Sequence, residues 1–357
     1  MNIEEQVREA LSGVMDPELG RSLVDLGMVR QITVRDGAVS LVIALTTMSC
    51  PLRGSIKEDA RSAVLHVPGV REVDVQMTAM TEEERATAFG RVQHHQEPLA
   101  EKANKVGAVV AVMSGKGGVG KSLVTGLLAV ALRRRGLRVG VLDADLTGPS
   151  VPKMFGLYER PQAGRLGVLP VRSRSGIPVI SINLFLERED EAVIWRGPMV
   201  AGAIKQFWGD VEWGQLDYLL VDLPPGTSDA PLTVMQSLPL AGAVIVSSPQ
   251  DLAGMVVRKA ARMAAQLSVP IIGVVENMSH FVCPDTGKRH EIFGRSRADD
   301  LAQELGAPLL GKLPIDPAAA ELCDAGRIED YRAPLVEELG AAFLAAVADR
   351  ARATATR

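Results

Sequence analysis

The sequence predicts an α/β protein: a mostly parallel sheet with helices on both faces, preceded by a smaller α/β unit. Three observations lead there. Apolar runs at Val109, Val139, Tyr218, Ala243 and Ile271 alternate with segments of helical period, the pattern of strands buried on both faces. A glycine-rich loop, Gly115-Lys116-Gly117-Gly118-Val119-Gly120-Lys121-Ser122, separates the first run from a helical segment. Residues up to about Met80 carry their own helix, hairpin and helix pattern, set apart by a polar stretch.

In that first unit, Asp36-Gly37 is a hairpin signal between Val29 to Val34 and Val39 to Leu45, and a second helix precedes Val70 to Met77. The polar residues that follow, with Glu82 to Arg85, Gln93 to Gln96 and Pro98, lack an apolar period and read as a helix end and linker. The expected division is a unit at 1–80, a linker at 81–105, a main domain at 106–345 and a frayed tail at 346–357.

The chain has 357 residues, 47% of them hydrophobic, and a formal net charge of −4, which supplies full-sized cores and no general attraction to nucleic acid or anionic lipid. The basic run Arg133 to Arg135 ends a helical segment before Gly136 and reads as a complement to the helix dipole. No apolar stretch approaches a membrane span, and Met1 to Glu5 lacks the regions of a signal peptide. The cytoplasm is the expected compartment, and no nucleic-acid or membrane partner is expected. Cys50, Cys283 and Cys323 are too scattered for a disulfide framework.

The loop carries the chemistry. Its glycines let backbone N–H groups turn inward around phosphates, Lys121 brings a point charge to them, and the Ser122 hydroxyl is placed for Mg²⁺. Leu123, Val124, Leu127, Leu128, Ala131 and Leu132 follow at helical spacing, so strand, loop and helix come in the order a phosphate cradle needs. Three carboxylates stand at strand ends. Asp222 closes Leu220-Val221-Asp222 before Leu223-Pro224-Pro225-Gly226 and has the form of a Walker B acid that reaches Mg²⁺ through water. Asp143 and Asp145 follow Val139 to Leu142; one would orient water while the other serves Mg²⁺ or its hydration shell, and helix capping before Gly148-Pro149-Ser150 is the alternative for Asp145. Lys116 is a second loop lysine. It is either a solvated side chain or a charge that reaches a nucleotide on a facing subunit, in the manner of an arginine finger.

With Lys116 in place, the loop resembles the deviant Walker A of the SIMIBI class of P-loop NTPases, which includes MinD, ParA and the Mrp (ApbC) iron-sulfur carrier ATPases. Asp143-Ala144-Asp145 with Gly148-Pro149-Ser150, Trp195-Arg196-Gly197-Pro198-Met199, Asp222 to Thr227, and Glu276-Asn277-Met278-Ser279 resemble the Mrp family specifically. Asp16-Pro17-Glu18-Leu19-Gly20 and Thr46-Thr47-Met48-Ser49-Cys50-Pro51 resemble the metal-sulfur cluster biosynthesis domain fused to bacterial Mrp proteins. The resemblance spans nearly the whole chain. It implies an ATP-hydrolysing homodimer that binds an iron-sulfur cluster, [4Fe-4S] by the family pattern, and delivers it to apo-proteins alongside cluster assembly factors. It further implies that Lys116 acts across the dimer, that Asp145 assists hydrolysis, and that Asn277 with the Pro314 to Pro317 segment, including Asp316, contacts adenine.

Two positions depart from that pattern. Leu123 stands where a second hydroxyl residue is usual, which removes one α-phosphate contact. The family's C-x-x-C pair becomes Cys283-Pro284-Asp285-Thr286, and a neutral hydroxyl is a poor substitute for thiolate on iron. Two subunits then offer two thiolates here. Asp285, His280, His290 or Cys50 would have to complete a cluster site. Cys50, before Pro51 and a predicted helix start, is either a reactive thiol or a small buried residue, and Cys323 reads as packing. The alternative function is a cluster-free nucleotide switch of the MinD or ParA kind that controls partner docking. A membrane-bound version would need an amphipathic tail, and Leu335 to Arg350 carries Glu337, Glu338 and Asp349, more suited to packing on the domain than to anionic lipid.

Overall fold

The computed structural model describes residues 2–16, 21–35, 37–45, 53–81, 84, 99–145, 148–185, 197–227 and 229–355. Within these, the chain forms two compact units, Met1–Gln96 and Glu97–Arg357.

The first unit opens with the helix Ile3–Ser12, started by a capping box in which Asn2 Oδ1 accepts from Glu5 N–H and Glu5 Oε2 accepts from Asn2 N–H. Two short strands, β1 (Met15–Asp16) and β2 (Arg21–Ser22), pair antiparallel. Strands β3 (Val29–Arg35) and β4 (Ala38–Leu45) form the antiparallel hairpin that the Asp36-Gly37 signal predicts, and β5 (Glu72–Ala79) adds parallel to β4 after the helix Arg53–Leu65. Gly37 takes φ +81°, and a side chain there would meet Gly69 O at 2.9 Å, so the turn needs glycine. Alternate residues of β4 (Val39, Leu41, Ile43) pack with Val7, Leu11, Ile56, Ala60 and Val64 in one core. The motif residues Pro17 to Gly20 and Thr46 to Pro51, Cys50 among them, lie outside the described residues, as do most of 82–98.

The second unit is built on eight strands in the order β10-β11-β7-β12-β6-β13-β14-β17. They are β6 (Lys105–Ser114), β7 (Val139–Asp143), β10 (Val171–Arg172), β11 (Pro178–Ser181), β12 (Gln215–Asp222), β13 (Leu240–Ser247), β14 (Ile271–Glu276) and β17 (Leu309–Lys312). All neighbours are parallel except the β10/β11 edge pair. Two small hairpins lie outside the sheet, β8 (Gln162–Ala163) with β9 (Val168–Leu169) and β15 (Phe281–Val282) with β16 (Arg289–His290). The helices Lys121–Arg134 and Pro334–Ala355 cover one face, where Val124, Leu128, Val336, Leu339 and Phe343 share a core. The helices Gly197–Gly209, Asp229–Ser237, Asp251–Gln266 and Ala298–Leu305 accompany the other face, with Ile204, Val234, Val257, Ala260 and Leu301 in its core.

Three details differ from the sequence reading. A helix, Leu99–Ala103, and the start of β6 at Lys105 fall within the span read as linker. The last helix runs unbroken to Ala355, through most of the span read as a tail, because its apolar positions at Val336, Leu339, Phe343 and Ala346 are buried on the sheet. The basic run does more than meet a dipole: Arg133 Nε donates to Ser175 O, Arg134 Nη2 to Glu329 O and Tyr331 O, and Arg135 Nη2 to Glu337 O, tying the helix end to three later segments. Among the described residues no helix is long and apolar enough to cross a membrane.

Phe343 is fully buried and meets Tyr218 of β12 edge-on at 5.4 Å between ring centroids. Phe343→Ala is expected to remove about 3–5 kcal/mol from the unfolding of the second unit. Urea denaturation of the full chain reads this, and a loss under about 1 kcal/mol would show that the last helix contributes little.

Candidate functional site: a phosphate loop over paired carboxylates

The site forms where the parallel strands end, the place at which open α/β sheets bind ligands. β12 lies between β6 and β7 with Asp222 opposite both Val112 and Asp143, so the two acids end their strands side by side. The loop Gly115 to Gly120 turns back over them. Gly118 and Gly120 take φ of +78° and +77°, and Gly120 caps the start of the helix Lys121–Arg134. A Cβ on Gly115 would stand 2.5 Å from the Val256 backbone, and one on Gly120 would stand 2.2 Å from Asn277 Nδ2. The backbone approach at Gly115 and the left-handed φ at Gly120 each call for glycine. The Asn277 amide in turn donates to Val119 O at 2.9 Å, which fixes the far wall of the loop.

Lys121 is the electrostatic centre. Its Nζ lies 2.9 Å from Asp222 Oδ2 and 3.8 Å from Asp145 Oδ2, with only 6% of the side chain exposed. Ser122 Oγ donates to Asp222 Oδ2 at 2.5 Å, and Thr125 Oγ1 lies 2.8 Å from Asp222 Oδ1. Asp143 is fully buried. Its Oδ1 accepts from Asp145 N–H, and its Oδ2 accepts from Val151 N–H and Ser181 Oγ. Burial, and then the charge of Asp222, raises its carboxyl well above the usual carboxylate range. At the start of the helix Val151–Phe155 it is therefore Asp143 that accepts the Val151 N–H, the role weighed above for Asp145.

Lys116 points elsewhere. Its Nζ donates to Gln250 Oε1, and its carbonyl accepts from Ser114 Oγ. The segments read as adenine contacts run side by side: Leu313 N–H donates to Glu276 O, Ser279 N–H to Leu313 O and Ile315 N–H to His280 O, and Ile315 is bridged to Phe281. The Asp316 carboxylate is committed to the Ala318 N–H and the Tyr331 hydroxyl, and its carbonyl accepts from Ala320 N–H.

Cys283 sits at the tip of the β15/β16 hairpin. Its backbone N–H donates to Lys288 O and its carbonyl accepts from Gly287 N–H. Hydrogen bonds from the Thr286 hydroxyl, then from the N–H groups of Thr286 and Asp285, hold its thiol below the ordinary value. Cys323 behaves oppositely, pushed up to about 11 by burial and by Asp324. His280 is bound through Nδ1 to Ser279 Oγ at 2.8 Å, and burial lowers its pKa. His290 faces Phe281 across the hairpin. Among the described residues no group of three His, Cys, Asp or Glu side chains gathers to hold a metal, so within one chain His280, His290 and Asp285 do not complete a site with Cys283.

Sequence reading missed Thr125, Ser181 and Gln250. Thr125 was detectable, since it lies one helical turn after Lys121; Ser181, on β11, and Gln250, before the helix Asp251–Gln266, arrive from distant parts of the chain with no local signal.

Comparison with known proteins decides the family. The family described as "NUBPL iron-transfer P-loop NTPase" matches residues 105–347, and the one described as "Iron-sulfur cluster assembly protein" matches residues 4–75. The chain belongs to the iron-transfer P-loop NTPases. An iron-sulfur cluster carrier protein of Synechocystis is 43% identical over 328 residues, 90% of this chain and 89% of its own length. A protein of the same name from Deinococcus radiodurans is 45% identical over 318 residues, 89% of this chain and 86% of its own length. The solved nucleotide-binding protein of Archaeoglobus fulgidus in complex with ADP is 46% identical, covers 68% of this chain and 93% of its own, and superposes with a TM-score of 0.60. In this P-loop NTPase the loop, Lys121 and Asp222 stand at the carboxyl ends of the central parallel strands β6 and β12.

The thiol shifts lead to a test. Peptide-mapped alkylation with iodoacetamide at pH 7 is expected to modify Cys283 at least tenfold faster than Cys323, and Thr286→Val to slow Cys283 several-fold. Equal rates for Cys283 in both proteins would show that the hydroxyl does not support the thiolate.

Proposed function

We propose that the chain is an ATP-hydrolysing homodimer that binds an iron-sulfur cluster as cargo and hands it to apo-proteins in the cytoplasm. The observation that carries the hydrolytic half is the contact of Lys121, Ser122 and Asp222 beneath the glycine loop. An all-oxygen pair in contact beside a lysine fits Mg²⁺ entering with a triphosphate, so Ser122 and Asp222 would hold it, and when bound it neutralises charge on the β- and γ-phosphate oxygens. Lys121 exchanges its carboxylate partners for those oxygens. Asp145, within reach of Lys121, orients the attacking water. Asp143 serves as a positioning residue, since its two oxygens already hold Asp145, Val151 and Ser181. Water adds to the γ-phosphorus, the bond to the β–γ bridging oxygen breaks, and ADP leaves with inorganic phosphate.

Lys116 takes no part at its own Lys121. Held by Gln250, it is available to a nucleotide on the facing protomer, where a cation at the transition state is worth about 10³ to 10⁵ in rate.

The carrier half rests on Cys283 and on the relatives' names. Two protomers present two thiolates, each supported by its own turn. With Thr286 in place of a second thiol, the pair leaves cluster positions open for an acceptor's cysteines, which suits cargo meant to be handed on. The same Thr286 favours the second reading, a nucleotide switch without a cluster.

Lys121→Ala is expected to abolish nucleotide binding or hydrolysis, and Lys116→Ala to spare ADP affinity while lowering turnover at least about 10³-fold. Equal turnover in Lys116→Ala and wild type would end the cross-dimer role. Anaerobic reconstitution with iron and sulfide tests the cargo: wild type is expected to hold stoichiometric iron and acid-labile sulfide, and Cys283→Ser to lose them. Retention of neither by wild type would leave the switch reading.

A further inference from the structure

The end of the sheet opposite the phosphate loop gathers arginines. A cavity of about 200 Å³ opens at the amino ends of β7, β11 and β12, with Arg133, Arg138, Arg172, Gly176, Trp213 and Gln215 in its walls. The three guanidinium groups come from three elements: Arg133 from the last turn of the helix Lys121–Arg134, Arg138 from the residue before β7, and Arg172 from the end of the edge strand β10. Among the described residues no carboxylate lines this cavity.

Two of these arginines are held in place without being neutralised. Arg133 Nε donates to Ser175 O at 2.8 Å, and Arg172 Nη1 donates to Gly176 O at 3.2 Å. Both acceptors are neutral carbonyls of the turn that joins β10 to β11. A Cβ on Gly176 would stand 3.5 Å from Arg133 Nη2, so both guanidinium groups meet at this glycine, and neither has a carboxylate within ion-pair distance among the described residues. Glu329 fixes the turn: its Oε1 accepts from Ser173 Oγ at 2.8 Å and from Ser175 N–H at 3.1 Å. That carboxylate lines a neighbouring cavity, which shares Arg133 and also holds Arg134 and Arg332, and its Oε2 lies 3.8 Å from Arg174 Nε. Arg138 alone of the three has an acid partner, Asp217, at 2.7 Å. Three arginines against that one acid leave two positive charges at the cavity, on a chain whose formal net charge is −4.

The arrangement selects a ligand class. A cation meets like charge on three sides. A lone carboxylate fills a single guanidinium fork, whereas a phosphate group presents oxygens in several directions and accepts from more than one arginine at once. The volume lies below the roughly 300 Å³ at which sites for drug-sized ligands begin, which favours an inorganic phosphate over a nucleotide.

We propose that this cavity binds inorganic phosphate or pyrophosphate, with the unused N–H groups of Arg133 and Arg172 as its donors and Arg138 adding to the field. The proposal is independent of hydrolysis and of cluster carriage, because no residue assigned to either takes part.

Pyrophosphate is titrated by calorimetry into the full chain, kept saturated with ADP and free of Mg²⁺ so that the phosphate loop is filled, at constant ionic strength. Arg133→Gln and Arg172→Gln are compared with Arg262→Gln, which removes an exposed arginine of the helix Asp251–Gln266, and ADP affinity and thermal unfolding check that each variant is folded. Saturable binding by wild type is expected, weakened at least about fivefold by Arg133→Gln or Arg172→Gln and unchanged by Arg262→Gln, with malonate bound at least about tenfold more weakly than pyrophosphate. No saturable binding by wild type overturns the proposal, as do unchanged affinity in a folded Arg172→Gln, an equal loss in Arg262→Gln, or malonate bound as tightly as pyrophosphate. If Arg133→Gln fails the folding checks, Arg172→Gln, exposed on its edge strand, decides by the same criterion.

Discussion

The site depends on the register of β12 between β6 and β7. Parallel strands end level only when their pairing brings the last residues opposite one another, and here Asp222 and Asp143 are paired neighbours. Two buried carboxylates at that distance repel, so something must offset them. Lys121 does, at 2.9 Å from Asp222, while the Ser122 and Thr125 hydroxyls and the Val151 N–H take up the remaining acceptor capacity. The glycine loop is a consequence of the same constraint: for Lys121 to open the helix directly above β12, the chain must reverse tightly after Ser114, with Gly118 and Gly120 in the left-handed region.

Most of this was legible in the sequence because the central strands are buried on both faces. Such strands read as unbroken apolar runs, and Val109 to Met113, Val139 to Leu142 and Tyr218 to Val221 each fall inside the strand found. The edges were not legible. β11 and β17 have four residues each, and the span from Tyr158 to Gly176 is rich in arginine and glycine without a period, yet it forms the β8/β9 hairpin and β10. Side chains that act through space were invisible for a related reason: Ser181 reaches Asp143 only because β11 pairs with β7, and Gln250 reaches Lys116 across 134 positions.

Thr286 shows how a substitution read as a loss can carry a different role in three dimensions. By ligand chemistry alone, a hydroxyl in place of a thiol weakens an iron site. In the turn, that hydroxyl is the leading influence that lowers the pKa of the Cys283 thiol, so the residue that removes one potential ligand favours the anionic form of the other. Exposed Val282, Ile292 and Phe293 lie in the same stretch of chain.

The end of β14 joins the two halves of the second unit. Adjacent residues of a strand face opposite ways, so Glu276 belongs to a cavity beside Arg297 while Asn277 belongs to the phosphate loop through Val119. Gln250, on the cavity wall, holds Lys116 on the loop side. A displacement of the β14 end therefore moves the loop's far wall, and a change at Gln250 alters where Lys116 is held.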